Sequence, residues 1–380
     1  MKYLLNIPFL DNKEKIYVKD VISKNWLSIN GFHTKVFEKK FSKYLNIKHT
    51  LAVQSGTAAI HTALKSIGIK KNDKVIVPNY TCVSNISALS QIQAKPIIVD
   101  VEKDTFGLDA KLLAKAIKRY KPKAVQLVHV YGFPARDTIE IIKLCKKYKI
   151  YLIEDASEAL GAKIGNKKVG TFGDIGTFSI RSEKMIGVGE GGTIVTNNNK
   201  IWNKTKLIAS RHAPFRSKKD PYWKKYYCNG EGYNYLMPHL LGAVARAQIE
   251  KFENKILSKK IKIGKFYRKI FLPNNNYTIL QNENKNFKSA FWLNAIYFKN
   301  KNSNFIKKIG DHLIKNGIEV RSGFWPLSEM KFFKTKSITS KKYIVSNDLF
   351  KNLLILPSNI KLKEKDILFI KKKIDSFLNK

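Results

Sequence analysis

The sequence predicts an α/β protein built on a buried, mostly parallel sheet with helices on both faces. Three observations carry that expectation. Between residues 50 and 200, short apolar runs alternate with stretches of helical periodicity. The runs are apolar throughout instead of alternating with polar residues, as strands covered on both faces must be. Polar residues gather just after the carboxyl ends of those runs, where sheets of this kind place their sites.

The runs are Thr50 to Val53, Lys74 to Val77, Pro96 to Val101, Ala124 to Val130, Ile150 to Ile153, Thr177 to Ile180 and Thr193 to Val195. Upstream, Ile16, Val18, Val21 and Ile22 give helical spacing over residues 11–24. Val36, Phe37, Phe41 and Tyr44 do the same from Thr34 to Tyr44. Residues 238–270 also read as helical, and from Lys285 onward short strands and helices alternate. A chain of 380 residues can bury a large core, and one large and one smaller domain are expected. The division is placed at residues 1–250 and 251–380.

Composition excludes several classes. A hydrophobic content of 44% is that of an ordinary globular chain, not a disordered one. No apolar run approaches the roughly 18 residues needed to cross a bilayer. The opening ten residues are mildly apolar, but Asp11, Lys13 and Glu14 follow at once with no small-residue cleavage site, which argues against a signal peptide. Cys82, Cys145 and Cys228 form no CxxC pair, so a reducing cytoplasm and no structural metal are expected. The net charge of +42 invites a nucleic-acid partner. Only eight of the 71 basic residues are arginine, however, and the lysines are spread along the whole chain. No helix-turn-helix, zinc-finger or RNP-like signature accompanies them. The charge is read as a generally basic surface, one that draws anionic substrates in a salt-dependent way.

Four segments carry candidate chemistry. Gln54-Ser55-Gly56-Thr57 opens a helix that ends at Gly68. Unpaired amides at such a start suit a phosphate, although the segment alone reads as a plain N-cap. Asp155 closes a buried run, and a buried carboxylate needs a partner. Its plainer alternative is a turn or capping aspartate. Glu158 follows three residues on, where a first-turn glutamate is also favoured by the helix dipole. Finally, Ser179 ends a strand, Lys184 follows five residues later, and the glycine-rich turn Gly187-Val188-Gly189-Glu190-Gly191-Gly192 leads into the next strand. A lysine at a strand end beside flexible backbone is placed to hold a cofactor. Without that position it would be one more solvated lysine among 63.

Together, Ile153-Glu154-Asp155-Ala156-Ser157-Glu158-Ala159-Leu160-Gly161 and the stretch from Gly173 to Thr196 resemble the pyridoxal-phosphate (PLP) site of the DegT/DnrJ/EryC1/StrS family of sugar aminotransferases. Pro8-Phe9-Leu10, Trp26-Leu27-Ser28, Val128 to Ala135 and Leu356-Pro357-Ser358 also have family counterparts, so the resemblance spans nearly the full length. It implies the fold type I of PLP-dependent transferases, aspartate aminotransferase-like. That is a large domain around a mixed seven-stranded sheet and a small C-terminal α/β domain.

The resemblance also implies roles. Lys184 would hold the cofactor and carry the proton, and Asp155 would pair with the pyridine nitrogen. Glu158 would lie near the ring hydroxyl, while Ser55, Gly56, Thr57 and Ser179 would hold the phosphate. Gly230-Glu231-Gly232-Tyr233-Asn234-Tyr235 resembles a segment that enters the neighbouring subunit's site, with Asn234 on its phosphate, which implies at least a homodimer. Cys82 stands where the family places an aromatic on the ring, so the thiol, Tyr80 or Tyr131 must cover that face. Val320-Arg321-Ser322-Gly323-Phe324-Trp325-Pro326-Leu327 makes Arg321 a candidate anion contact, and about as readily a structural salt bridge. Trp26 and His129 would border the substrate pocket, though each taken alone reads as a core residue.

Dehydratases of the family carry histidine where Lys184 stands, so lysine points to the transaminating branch. The implied reaction moves an amino group from L-glutamate to a nucleotide-linked 4-keto-6-deoxy sugar, of the perosamine type, for surface glycans. The alternatives are a PLP-dependent sugar dehydratase and a non-catalytic basic regulator on the same fold.

Overall fold

The computed structural model describes residues 1–214, 219–334, 338–339 and 343–379. Each of the seven apolar runs becomes a strand of one sheet. From one edge the order is Lys95–Val99, Lys74–Pro78, Ala124–Val128, Tyr151–Asp155, Ile175–Ser179, Gly192–Thr196 and His49–Val53. Gly192–Thr196 is antiparallel to both its neighbours, and the other adjacent pairs are parallel. An eighth, two-residue strand, Ile338–Thr339, pairs parallel with Lys95–Val99 at the edge. No apolar run marks it in the sequence.

The apolar runs are explained by the period of two. Val75 and Val77 join the cluster under helices Gly56–Ser66 and Ser84–Ile92. Ile76, between them, joins Leu113, Ile117 and Ile141 of helices Ala110–Tyr120 and Thr138–Lys147 on the opposite face. Each such side chain contributes about 1.5–3 kcal/mol by burial, so both faces demand apolar residues.

The N-terminal helix, Asn12–Ser23, starts at a capping box in which Glu14 accepts the Asp11 amide at 2.8 Å. The second helix, Phe32–Leu45, places Glu38 where its carboxylate oxygen accepts the Ala52 amide at 2.8 Å. Burial raises the Glu38 pKa to about 7. A carboxyl whose folded pKa lies above its unfolded value favours folding at low pH and loses that advantage as pH rises. Glu38→Gln keeps the acceptor and removes the titration. It is expected to stabilise the fold at pH 8 by on the order of 1 kcal/mol, read as a higher Tm, with little effect at pH 4.5. Thermal melts at the two pH values check this.

Helix His239–Lys251 runs through the π-turn Phe252–Leu257 into helix Ser258–Ile270. The expected boundary at residue 250 therefore lies inside continuous helix, where the sequence offers no break. Beyond it, an antiparallel sheet orders Tyr277–Thr278, Asn294–Phe298, Leu353–Leu356 and Arg321–Ser322. Its cluster also takes Tyr3 from the start of the chain.

Lys260 secures the junction between the two cores. Its amine donates to Asn6 Oδ1 at 2.9 Å, Trp292 O at 2.9 Å and Ser358 O at 2.6 Å. Burial pulls its pKa down to about 7, while three acceptors favour the ammonium, because a neutral amine has only two hydrogens. Gly132 allows the second close approach. With φ at +103°, a Cβ there would lie 2.4 Å from Trp292 N. The backbone of Phe291 and Trp292 can thus sit directly on the Tyr131-Gly132 turn.

Candidate active site

A cleft of about 400 Å³ opens beyond the carboxyl ends of Tyr151–Asp155 and Ile175–Ser179. Nine of the twelve expected site residues line it: Ser55, Gly56, Thr57, Cys82, Asp155, Glu158, Ser179, Lys184 and Arg321. Residues from five separate stretches converge there: four lie at or shortly past the ends of sheet strands, and Arg321 comes from strand Arg321–Ser322.

Lys184 sits in the turn after Ile175–Ser179. Its Nζ donates to Glu158 Oε1 at 3.1 Å and lies 3.8 Å from the centre of the Trp292 ring. The lysine side chain is 11% exposed and the glutamate 5%, so the pair is held largely away from water. Glu158 Oε2 also accepts the Tyr131 amide at 3.1 Å. Burial pushes the Glu158 carboxyl up, with the Lys184 charge opposing it.

The carbonyl of Glu183, next to Lys184, accepts Asn6 Nδ2 and Trp292 Nε1, each at 2.7 Å. Lys260 holds both donors in turn, through Asn6 Oδ1 and the Trp292 carbonyl. The lysine turn is therefore clamped from two distant segments. Trp292→Phe keeps a ring beside the amine and removes the N–H. It is expected to lower kcat about five- to ten-fold with little change in KM for the amino donor, because misplacement costs rate more than binding. Steady-state kinetics separate the two.

Asp155 is 3% exposed. Its oxygens accept from Asn85 Nδ2 at 2.9 Å, the Ser157 amide at 3.0 Å and Thr177 Oγ1 at 3.4 Å. All three donors are neutral. The buried carboxyl faces the cleft without a cation among the described hydrogen-bond partners.

The third part is an anion cradle. Ser55 caps helix Gly56–Ser66, its Oγ accepting the Ala58 amide at 3.0 Å. Ser55 O takes the Ala59 amide, leaving those of Gly56 and Thr57 at the open end. Thr57 Oγ1 donates to Ser84 Oγ at 3.1 Å, and Ser179 adds a further hydroxyl. Gly56 is required there, since a Cβ would sit 2.9 Å from Ser179 Cβ.

This donor set fits PLP. Amides and hydroxyls at a helix start suit its phosphate, the buried Asp155 suits a protonated ring nitrogen, and Lys184 supplies the amine. Cys82 lines the cleft with Sγ 3.5 Å from Ser84 Oγ. Tyr80 and Tyr131 do not line it. They are buried behind, hydroxyls 3.2 Å apart, with Tyr80 Oη accepting the Phe324 amide at 3.1 Å.

Three expected residues lie elsewhere in the protomer. His129 is wholly buried, with Nε2 2.9 Å from Glu154 Oε1 and Nδ1 accepting the Ala135 amide at 2.9 Å. It is a core histidine and does not border the cleft, because its side chain points to the Glu154 side of the sheet. Trp26 is 53% exposed and donates to Ile29 O within its own loop. Asn234 bridges to Ser210 outside the cleft, beside the stacked pair Tyr233 and Tyr235. Arg321 lines the cleft and is also ion-paired, to Glu183 at 2.9 Å and Glu319 at 3.5 Å. Sequence reasoning missed Asn6, Asn85, Thr177 and Trp292. Asn85 lies inside helix Ser84–Ile92 and Thr177 at the middle of strand Ile175–Ser179, so neither carries the strand-end signal, and Asn6 and Trp292 carry none either.

Residues 8–375 match the sequence profile of the DegT/DnrJ/EryC1/StrS aminotransferase family. GDP-perosamine synthase of Escherichia coli O157:H7 is 32% identical over 378 residues, covering 99% of both chains. GDP-perosamine synthase of Vibrio cholerae is 33% identical over 86% of each. Among solved structures, Helicobacter pylori PseC, an aminotransferase involved in the biosynthesis of pseudoaminic acid, superposes with a TM-score of 0.89 at 25% identity, covering 99% of both chains. With the cradle, the buried aspartate and the clamped lysine in one cleft, the chain belongs to the DegT/DnrJ/EryC1/StrS aminotransferase family, whose cofactor is pyridoxal phosphate.

Proposed function

We propose that this transaminase moves an amino group from L-glutamate to the ketone of a nucleotide-linked 4-keto-6-deoxy sugar, as a perosamine synthase would. The observation that carries the reading is the Lys184 amine, 3.1 Å from Glu158 and 3.8 Å from the Trp292 ring, in the cleft that holds Asp155 and the anion cradle. When bound there, the cofactor supplies an electron sink for breaking the bond between the donor carbon and its hydrogen. The chain's own residues do the rest. Lys184 Nζ takes and returns the proton, Glu158 orients that amine, and Asp155 keeps positive charge on the ring nitrogen. Trp292 and Glu158 keep water away from the exchange.

The sugar nucleotide is supported by the near-full-length relatives named GDP-perosamine synthase, and by a surface charge of +42 that favours an anionic substrate. A lysine in place of a histidine favours amination over dehydration. A homodimer with shared sites is supported by Asn234 lying outside its own cleft, and by Leu27 and Phe32 remaining exposed. A cytoplasmic setting for surface-glycan synthesis accords with three free thiols.

The test is incubation of the PLP-loaded protein and L-glutamate with GDP-, UDP- and dTDP-linked 4-keto-6-deoxy sugars, read by mass spectrometry. Ketone-to-amine conversion with release of 2-oxoglutarate is expected in one nucleotide series. Failure to consume glutamate with any of them would sink the proposal, and a monomeric mass by light scattering would remove the shared site.

A further inference from the structure

At the end of the sheet opposite the cofactor cleft, four adjacent parallel strands start among lysines. Lys74 and Lys95 open neighbouring strands and are direct register partners. Lys123 precedes the next strand, its amide donating to Lys74 O at 2.8 Å, and Lys149 lies just before the fourth. The turns leading into these strands add Lys70 and Lys71 before Lys74–Pro78, Lys118 and Lys121 before Ala124–Val128, and Lys146 before Tyr151–Asp155. Residues 68–74, 93–95, 118–123 and 146–150 hold one acid among them, Asp73, which is bound to Lys123 Nζ at 2.8 Å.

Helix dipoles account for part of this face, since lysines in a last turn, such as Lys118 and Lys146, favour the negative end of a helix. They do not account for the strand starts. Adjacent strands lie about 4.8 Å apart, so Lys74 and Lys95 bring like charges side by side, with Asp73 already held by Lys123. That repulsion costs stability, and an anionic partner would offset it. A cavity of about 370 Å³ opens on the same face between Lys146, Lys149 and Tyr151, walled by Ile142, Leu152 and Phe172. Its one acid, Asp174, accepts the Leu152 amide at 2.8 Å. Tyr151 is 40% exposed at its mouth. An apolar hollow rimmed by amines suits a lipid, whereas a nucleic acid would set phosphates and sugars against it.

We propose that this face docks on the surface of an anionic phospholipid bilayer. The lysines meet the lipid phosphates, and Tyr151 sits at headgroup depth, its ring towards the chains and its hydroxyl towards water. The strands in between are five residues long, so the cleft at their carboxyl ends lies about 17 Å from the docked ends and stays open to soluble substrates. Docking uses no residue of the cofactor site, and it stands or falls apart from the sugar reading above.

The experiment is co-sedimentation of the PLP-loaded protein with vesicles of phosphatidylcholine, alone or mixed in equal parts with phosphatidylglycerol, at about 0.1 M salt. Binding to the mixed vesicles only is expected, weakening as salt rises. Lys95→Thr, Lys121→Gln, Lys146→Gln and Lys149→Gln together are expected to weaken it about 100-fold or more, since each lysine at an anionic leaflet is worth about five-fold. The control removes as many charges from helix Ser258–Ile270, whose buried side joins the small-domain core, through Lys259→Gln, Lys262→Gln, Lys265→Gln and Lys269→Gln. It is expected to weaken binding by less than about five-fold. Lys95→Thr alone relieves the repulsion at Lys74 and is expected to raise Tm, so a melting curve separates lost docking from lost folding. Transamination in solution should be the same in both sets. Equal losses in the two sets would reduce the effect to net charge and overturn the face. No binding to the mixed vesicles, or tighter binding of duplex DNA than of those vesicles, overturns the lipid assignment.

Discussion

Lys184→Ala is expected to lower the transamination rate by about 10,000-fold or more, and to leave the protein unable to hold its cofactor covalently. Two functions would be lost together, because in the proposed reaction the amine both anchors the coenzyme and moves the proton. The measurement is the visible absorption band of the PLP-loaded protein, with borohydride trapping followed by mass analysis of the peptide that carries residue 184. Folding should survive. Removing the lysine leaves Glu158 without its cation, but burial already pushes that carboxyl up, so it can take a proton and stay neutral. Its contact to the Tyr131 amide persists. A variant that keeps a borohydride-reducible band would show that another of the 63 lysines carries the cofactor.

Asp155→Asn should cost about 1000-fold in the glutamate half-reaction, with a smaller loss of cofactor affinity. The substitution keeps the side-chain shape and removes the charge. At present three neutral donors hold the carboxylate, from Asn85, Ser157 and Thr177. An asparagine can keep the Asn85 contact through its oxygen, but then turns an NH2 towards the Ser157 amide, donor against donor. The ring nitrogen loses its ion pair and the cofactor much of its power to accept electrons. Stopped-flow spectra with glutamate alone read that step directly. A rate within ten-fold of the unsubstituted protein would mean that Asp155 serves the strand end and not the ring.

Both effects concern residues that were readable from the chain. Lys184 and Asp155 follow strands whose apolar runs are unmistakable, and the chemistry of a strand end is local. The helix start at Ser55 to Thr57, proposed here to hold the phosphate, was legible for the same reason. His129 follows a strand end too, yet it turns into the core against Glu154, because which way a side chain leaves such a turn depends on what packs there. Trp26 and Asn234 belong to loops whose surroundings the chain's own pattern does not specify. At residue 250, where the division was placed, the helix continues by way of a π-turn, a feature that residue periodicity does not mark.

By itself the sequence determined the seven strands, the covering helices and the family-specific lysine, since all of these are written in short-range periodicity and in residues adjacent along the chain. Only the tertiary structure decided that Asn6 and Trp292 clamp the Glu183 carbonyl and that Lys260 secures both. Three of those contacts join segments more than a hundred residues apart, and the fourth, Lys260 to Trp292 O across 32 residues, uses backbone that every residue type shares. Such pairings leave no periodic trace, because they are set by how the two cores dock at Gly132 and not by the local preference of any residue.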